Sequence, residues 1–145
     1  MNRSLIEDAF QALASSDPGR ISAVFTEDAQ WLSPPGNATV VALKLIDHTL
    51  DVTHHMVGRK AIVRFWAEVF PRLFVGDLDV TFHTSHADGQ RGIAEATVTA
   101  TLANGNHYVN DFCFVFVFRN GLIHRVREYT DTARGHRMTF ASVPP

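Results

Sequence analysis

The sequence feature that most constrains the fold is a two-armed segment near the C-terminus, residues 106–131. In its first arm, every second residue from Phe112 to Phe118 is a phenylalanine, and these share one strand face with Asn110. The other face carries Val109, Cys113, Val115 and Val117 and is broken only by Asp111, so both faces are largely apolar. Such a strand belongs in the centre of a sheet, where both of its faces are covered. Asn120 and Gly121 then supply the positive φ angles of a tight hairpin. The second arm returns as a neighbouring strand that ends in an acid, Asp131.

The rest of the chain predicts helices first and an antiparallel meander afterwards. Apolar residues recur at helical spacing over residues 3–15, 18–25 and 58–74. Strands before the hairpin are predicted at residues 29–33, 78–86 and 92–103. Residues 37–57 fit neither period, and we expect a loop there that shapes or closes a cavity. This order indicates an α+β fold, one domain over residues 1–145, with helices packed on one face of a curved sheet.

Charge and composition argue against several classes of partner. A net charge of −2 without a basic cluster argues against nucleic acid. The N-terminal segment carries polar and acidic residues every few positions, which indicates neither a signal peptide nor a membrane span. The single cysteine can form no internal disulfide. We therefore expect a cytoplasmic protein with no nucleic-acid or membrane partner.

The histidines of the segment 37–57 raise one alternative, a metal-dependent site. His48, His54 and His55 lie there together with Asp47 and Asp51. Adjacent histidines on irregular backbone rarely converge, and no known metal-ligand spacing is present. The sequence therefore predicts no metal site, and a metal-binding lid built on these histidines is the weakest alternative.

The apolar strands also predict an assembly. The central strand is apolar on both faces, and helices can cover only one face of the sheet. The preceding strand adds a row of small apolar residues: Ala96, Val98, Ala100 and Leu102. A second copy packed sheet against sheet is the simplest cover for the remaining face. We therefore predict a homodimer through the outer face of the sheet.

Several local motifs follow the order of these elements. They are FTEDA at residues 25–29, GRKAI at 58–62, NG at 104–105, YVND at 108–111, FRNGLI at 118–123 and REYTD at 127–131. In these motifs and in its element order the chain resembles the NTF2-like superfamily, specifically its SnoaL-like, ketosteroid-isomerase-like branch. The resemblance covers nearly the whole chain apart from residues 37–57. It implies a cone-shaped domain, in which a curved sheet wraps a long helix and leaves a pocket at the open end.

The resemblance also implies which positions line that pocket. They are Trp31 and Ser33 on the first strand, and Glu95, Thr97, Asn110, Phe112 and Asp131 on the meander. Asn110 interrupts an otherwise apolar face, and a buried amide needs partners, so we expect it to bind a ligand. Trp66, in the third predicted helix, either packs in the core or stacks on the ligand.

Known chemistries of the family are matched incompletely. Steroid isomerases of this fold carry a general-base aspartate at the position of Ser33, and their first-helix tyrosine is also absent here. Limonene-type epoxide hydrolases use an arginine and an aspartate where this chain has Glu95 and Thr97, and only Asp131 matches their third residue. Both of these chemistries are therefore disfavoured.

The remaining expectation is acid–base chemistry at Asp131, alone or with Glu95. A carboxylate desolvated in an aromatic cavity is suited to general acid–base catalysis. By resemblance to SnoaL-type polyketide cyclases, we predict an isomerase, cyclase or dehydratase that needs no cofactor and acts on an apolar, oxygenated ring compound. If Asp131 instead pairs with Arg125 or Arg127 in solvent, the alternative is a non-catalytic binding or assembly domain.

Overall fold

Two helices open the chain and pack on what becomes the inner face of a sheet. The computed structural model describes residues 2–141. Helix α1 spans Asn2–Ala14 and helix α2 spans Pro18–Ser22. The Asp17 side chain accepts hydrogen bonds from the first free N–H groups of α2, as an N-cap does. Pro18 takes the first helical position, where its missing N–H leaves no hydrogen bond unmade.

Six strands form one sheet in the order β2-β1-β6-β5-β4-β3. The strands are β1 Phe25–Leu32, β2 His55–Val57, β3 Phe74–Ala87, β4 Arg91–Leu102, β5 His107–Arg119 and β6 Leu122–Thr130. Strands β1 and β6 are parallel, and every other neighbouring pair is antiparallel. The doubly apolar strand is β5, which lies inside the sheet as predicted. The expected α+β cone is confirmed.

Segment 37–57, expected to be a loop, contains helix α3 (Ala38–Ile46) as well as β2. Its N-cap is Asn37, which accepts the N–H of Val40 at 3.1 Å. The helical period is hidden in the sequence because Leu45 and Ile46 are apolar and yet exposed. With apolar residues on both sides of a short helix, no polar face marks the period.

The third predicted helix is divided into three parts. Helix α4 spans Arg59–Arg64, a π-helical turn follows at Phe65–Val69, and a 3₁₀ turn closes the segment at Phe70–Arg72. Pro71 cannot donate a backbone hydrogen bond, so the regular α-helical ladder cannot continue through it. Helix α5, Thr132–Phe140, follows β6 and was not predicted from the sequence.

The core lies between the helices and the inner face of the sheet. Ala96 of β4 is paired directly with Phe112 of β5, and paired residues share a face. The row Ala96 to Leu102 therefore faces the helices and not the outer surface. Gly92 allows β4 to pass close to α1, because a Cβ there would lie 2.9 Å from the Phe118 ring and 3.1 Å from Ile6. No helix in the described range 2–141 combines the length and apolarity needed to cross a bilayer.

Candidate functional site

An aromatic cavity of about 80 Å³ lies between the helices and the inner face of the sheet. Nine aromatic side chains line it: Phe10, Trp31, Phe65, Trp66, Phe70, Phe74, Tyr108, Phe112 and Phe114. Their rings also contact one another, with the Trp66 centroid 5.1 Å from that of Trp31 and 4.5 Å from that of Phe70. Since one water molecule needs roughly 10–15 Å³, the cavity has room for a compact ring compound. Its walls favour a ligand that is mostly apolar.

Strands from both halves of the chain bring the polar groups of this cavity together. Trp31 on β1 is 2% exposed and lies beside Val126, because β1 and β6 run parallel at this point. Glu128 follows two residues after Val126 on the same inward face and is paired with Phe114 of β5. Val40 of helix α3 lies against the cavity. The segment 37–57 therefore does help to shape the cavity, although as a helix and a short strand.

Glu128 is the one acidic side chain that lines the cavity among the side chains described, residues 5–141. Its Oε1 accepts a hydrogen bond of 2.7 Å from the indole Nε1–H of Trp31. Burial raises the pKa of Glu128 from 4.5 to about 7, and the Trp31 hydrogen bond, which favours the ionised form, offsets only part of this rise. Both protonation states are therefore populated near neutral pH, as a general acid–base group requires.

Tyr108 adds a neutral hydroxyl to the cavity wall. Burial raises the pKa of Tyr108 to about 12, and the negative charge of Glu128 adds to the rise. The Asn110 side-chain amide donates to the Tyr108 hydroxyl oxygen at 3.4 Å, so the hydroxyl proton is not used in that contact. Tyr108 therefore remains protonated at physiological pH and can donate a hydrogen bond.

Asn110 does not line the aromatic cavity but hydrogen-bonds residues around it. Its side chain is fully buried, and its amide also donates to the carbonyl oxygen of Asp131 at 3.0 Å. Its Oδ1 accepts the N–H of Asp111. The expectation that Asn110 hydrogen-bonds a ligand is not supported, because these protein groups satisfy its amide and it does not line the cavity.

The structure places the predicted site residues on two opposite faces of the sheet. Four of them line the cavity: Trp31, Ser33, Trp66 and Phe112. Glu95, Thr97 and Asp131 do not line it; Glu95 and Asp131 border a surface depression on the outer face instead. On that outer face Glu95 accepts a hydrogen bond of 2.7 Å from the Thr84 hydroxyl. The Thr97 hydroxyl donates to Asp111 Oδ1, also at 2.7 Å.

The prediction that Asp131 sits inside the cavity is wrong. Its exposed carboxylate caps helix α5 and accepts the backbone N–H of Arg134 at 2.9 Å. Glu95 cannot reach the cavity either, because it neighbours Ala96 in the strand and therefore points to the opposite face. The sequence did contain the signal for the acid that does face inward: Glu128 stands two residues after the apolar Val126, at the period of a strand.

The histidines of the segment 37–57 do not form a cluster. Within residues 5–141, no group of three or more histidine, cysteine, aspartate or glutamate side chains converges on a point that could hold a metal ion. The His55 Nε2 instead lies 2.8 Å from the side-chain oxygen of Gln30, on the neighbouring strand.

The helices and the curved, mostly antiparallel sheet define a protein of the NTF2-like class, as predicted. Residues 6–126 match the model of the SnoaL-like domain, and the chain belongs to this family. No match was found among curated proteins.

Solved structures of the same fold span almost the whole chain. An NTF2-like protein of unknown function from Burkholderia pseudomallei is 18% identical, with a TM-score of 0.76 over 97% of this chain and 98% of its own. TerC, co-crystallised with polyporic acid, is 20% identical, with a TM-score of 0.73 over 95% and 97%. An LEH-like epoxide hydrolase from M. tuberculosis is 17% identical, with a TM-score of 0.68 over 94% and 86%. These likenesses establish the fold.

Proposed function

We propose that this protein is a cofactor-free acid–base enzyme, an isomerase, cyclase or dehydratase acting on a compact, apolar, oxygenated ring compound. The observation that carries the proposal is the Glu128 carboxyl, which lies among the aromatic rings of the cavity and has its pKa raised by burial to about 7. Two structural neighbours support a small-molecule substrate, since one was crystallised with polyporic acid and another is an epoxide hydrolase by name. Glu128 takes the role that the sequence analysis gave to Asp131 and Glu95.

The chemistry follows from the state of one carboxyl group. Ionised Glu128 removes a proton from a carbon next to the substrate carbonyl, and the electron pair of that C–H bond moves towards the carbonyl oxygen to form an enolate. In a β,γ-unsaturated ketone the enolate is a conjugated dienolate, and protonated Glu128 then returns the proton to its γ-carbon, which shifts the double bond and completes an isomerisation without any other reactant. The Trp31 N–H fixes Oε1 and leaves Oε2 for the proton transfer.

We expect the protein to catalyse saturable hydrogen–deuterium exchange next to the carbonyl of small cyclic ketones. The base is the carboxylate, so kcat/KM should rise with pH and level off above about pH 7, the pKa of Glu128. Proton NMR in D₂O across a panel of cyclic ketones measures the exchange. Saturable ligand binding without exchange would instead identify a non-catalytic binding domain.

We also propose that the protein is a homodimer through the outer face of the sheet. Val115 and Val117 of β5 are half-buried there, beside Ile93 and Tyr129, which are 42% and 53% exposed. The patch is built on β5 and its neighbours, since the row Ala96 to Leu102 faces inward. Three arginines, Arg91, Arg125 and Arg127, pair with these valines and border the apolar strip. A second copy that covers the strip is the simplest partner.

Val115→Arg is expected to convert the dimer to a monomer, because Val115 lies between Ile93 and Arg127, and a charge there replaces an apolar contact and crowds like charges between the two copies. Light scattering should give twice the chain mass of 16.1 kDa for the wild type and the single mass for the variant. Leu45→Arg is the matched control, since Leu45 is equally apolar but lies 75% exposed on α3. A wild-type protein that is monomeric at micromolar concentration contradicts the proposal.

A further inference from the structure

One polar atom of the aromatic cavity has no hydrogen-bond partner. The Nε1–H of Trp66 is buried and contacts no acceptor within the described part of the chain. An unmet buried donor destabilises the folded protein, and native structures seldom retain one without a function. The indole lines the cavity, so a bound molecule can supply the missing acceptor.

Three other polar side chains of the cavity wall already have contacts within the protein, although the Tyr108 hydroxyl keeps a proton that it can still donate. The Trp31 N–H is directed at Glu128, and the Tyr108 hydroxyl oxygen accepts from Asn110. Asn37 uses its side chain on the carbonyl of Pro34 and on the N–H of Val40. The Trp31 indole therefore holds the acid–base group Glu128, and the Trp66 indole N–H remains available to a ligand.

The backbone around Trp66 is also unusual. Trp66 lies in the π-helical turn Phe65–Val69, in which the N–H of Phe70 bonds the carbonyl of Phe65 five residues earlier. Such turns occur often at functional sites, because the extra residue redirects the side chains of one helical turn. The Trp66 ring packs between those of Trp31 and Phe70, which hold the indole against the cavity.

We infer that the Trp66 Nε1–H is the anchor for the substrate oxygen, and that the substrate is an uncharged ring compound whose carbonyl oxygen accepts this hydrogen bond. An indole N–H only donates, so the ligand atom must be an acceptor. The apolar walls disfavour an ion, and an ionised Glu128 repels an anion. This inference rests on the proposed function and deepens it, since the same hydrogen bond strengthens when negative charge develops on the carbonyl oxygen.

The test uses two probes of nearly equal shape. Acetophenone carries a carbonyl oxygen, whereas α-methylstyrene has a CH₂ group in its place. Trp66→Phe keeps an aromatic ring but removes the donor, and it should weaken acetophenone binding about fivefold, the ratio for a hydrogen bond of about 1 kcal/mol. Binding of α-methylstyrene should change much less. Equal losses for both probes, or acetophenone that fails to bind up to its solubility limit, overturn the inference.

A second measurement does not depend on the folding of the variant. The chain has two tryptophans, and the indole N–H resonance of Trp66, assigned in the wild type by through-space contacts to the Phe70 ring, can be followed during a titration. Acetophenone should shift this resonance downfield, and α-methylstyrene should not. An unmoved resonance at saturating acetophenone overturns the inference.

The same titrations on Glu128→Gln separate this inference from the proposed function. Binding requires no proton transfer, so the dependence of acetophenone binding on Trp66 should persist in this variant. If Trp66→Phe does not change the affinity for acetophenone, while Glu128→Gln still abolishes hydrogen–deuterium exchange, the inference alone is overturned. If Glu128→Gln leaves hydrogen–deuterium exchange unchanged, while Trp66→Phe still weakens acetophenone binding, the proposed function alone is overturned.

Discussion

Glu128→Gln is expected to lower the rate of ketone proton exchange by about 10²-fold or more, the usual contribution of a general base. Glutamine keeps the shape of the side chain, and its amide oxygen can still accept the Trp31 N–H, but it cannot take up a proton at neutral pH. The loss should therefore appear in kcat, with KM little changed, because ligand binding does not need the proton transfer. Deuterium incorporation followed by NMR gives both constants.

Two outer-face carboxylates provide matched controls for this variant. Asp131→Asn and Glu95→Gln make the same chemical change at residues that do not line the cavity. Both are expected to leave the exchange rate unchanged, with Asp131→Asn losing some stability at the helix α5 cap. If Asp131→Asn abolished exchange and Glu128→Gln did not, the reaction would have to take place on the outer face of the sheet.

The strands of this fold could be predicted from the local alternation of apolar residues in the sequence. Alternation over residues 106–118 indicated a central strand, and Asn120-Gly121 marked the hairpin; both features are present. Strands are predictable here because a period of two residues separates a face packed against helices from a face turned outward. The same period, applied strictly, puts Ala96 and Phe112 on one face and Glu95 on the other.

The candidate site was only partly predictable for the same reason. The resemblance supplied positions such as Trp31 and Phe112, which do line the cavity, but it also supplied Glu95 and Asp131, which do not. Whether the last acid of β6 faces inward depends on where the strand ends, and β6 ends at Thr130. Asp131 therefore already belongs to the cap of helix α5, a helix whose weakly apolar sequence gave no signal of its own.

Glu128 is an ionisable side chain in an apolar environment, and this placement has consequences for both stability and function. A carboxyl among aromatic rings is a poor choice for stability, because desolvation opposes its charge. The same desolvation gives it the pKa that acid–base catalysis needs at neutral pH. Local rules of folding are most often broken at functional sites, where a stability cost is retained for activity. A measurable loss of stability should therefore accompany the ionisation of Glu128.

Glu128→Gln is expected to gain stability relative to the wild type as the pH rises from 4.5 to above 7, by up to about 3 kcal/mol. Below pH 4.5 Glu128 is protonated in both the folded and the unfolded chain, and it contributes no difference. Between pH 4.5 and about 7 the folded chain holds the proton more tightly, so wild-type stability falls with rising pH. At about 1.4 kcal/mol per tenfold change in proton affinity, this rise in pKa corresponds to about 3 kcal/mol.

The free energy of unfolding from urea titrations, compared between variant and wild type at each pH, checks this expectation. Taking the difference removes the contribution of every group that the two proteins share. Glu95→Gln is the control, because it makes the same chemical change at an exposed carboxylate of the same sheet. A Glu128→Gln difference that is constant from pH 4.5 to 8 would show that Glu128 ionises as freely in the folded chain as in water. That result would remove the physical basis of its role as a base at neutral pH.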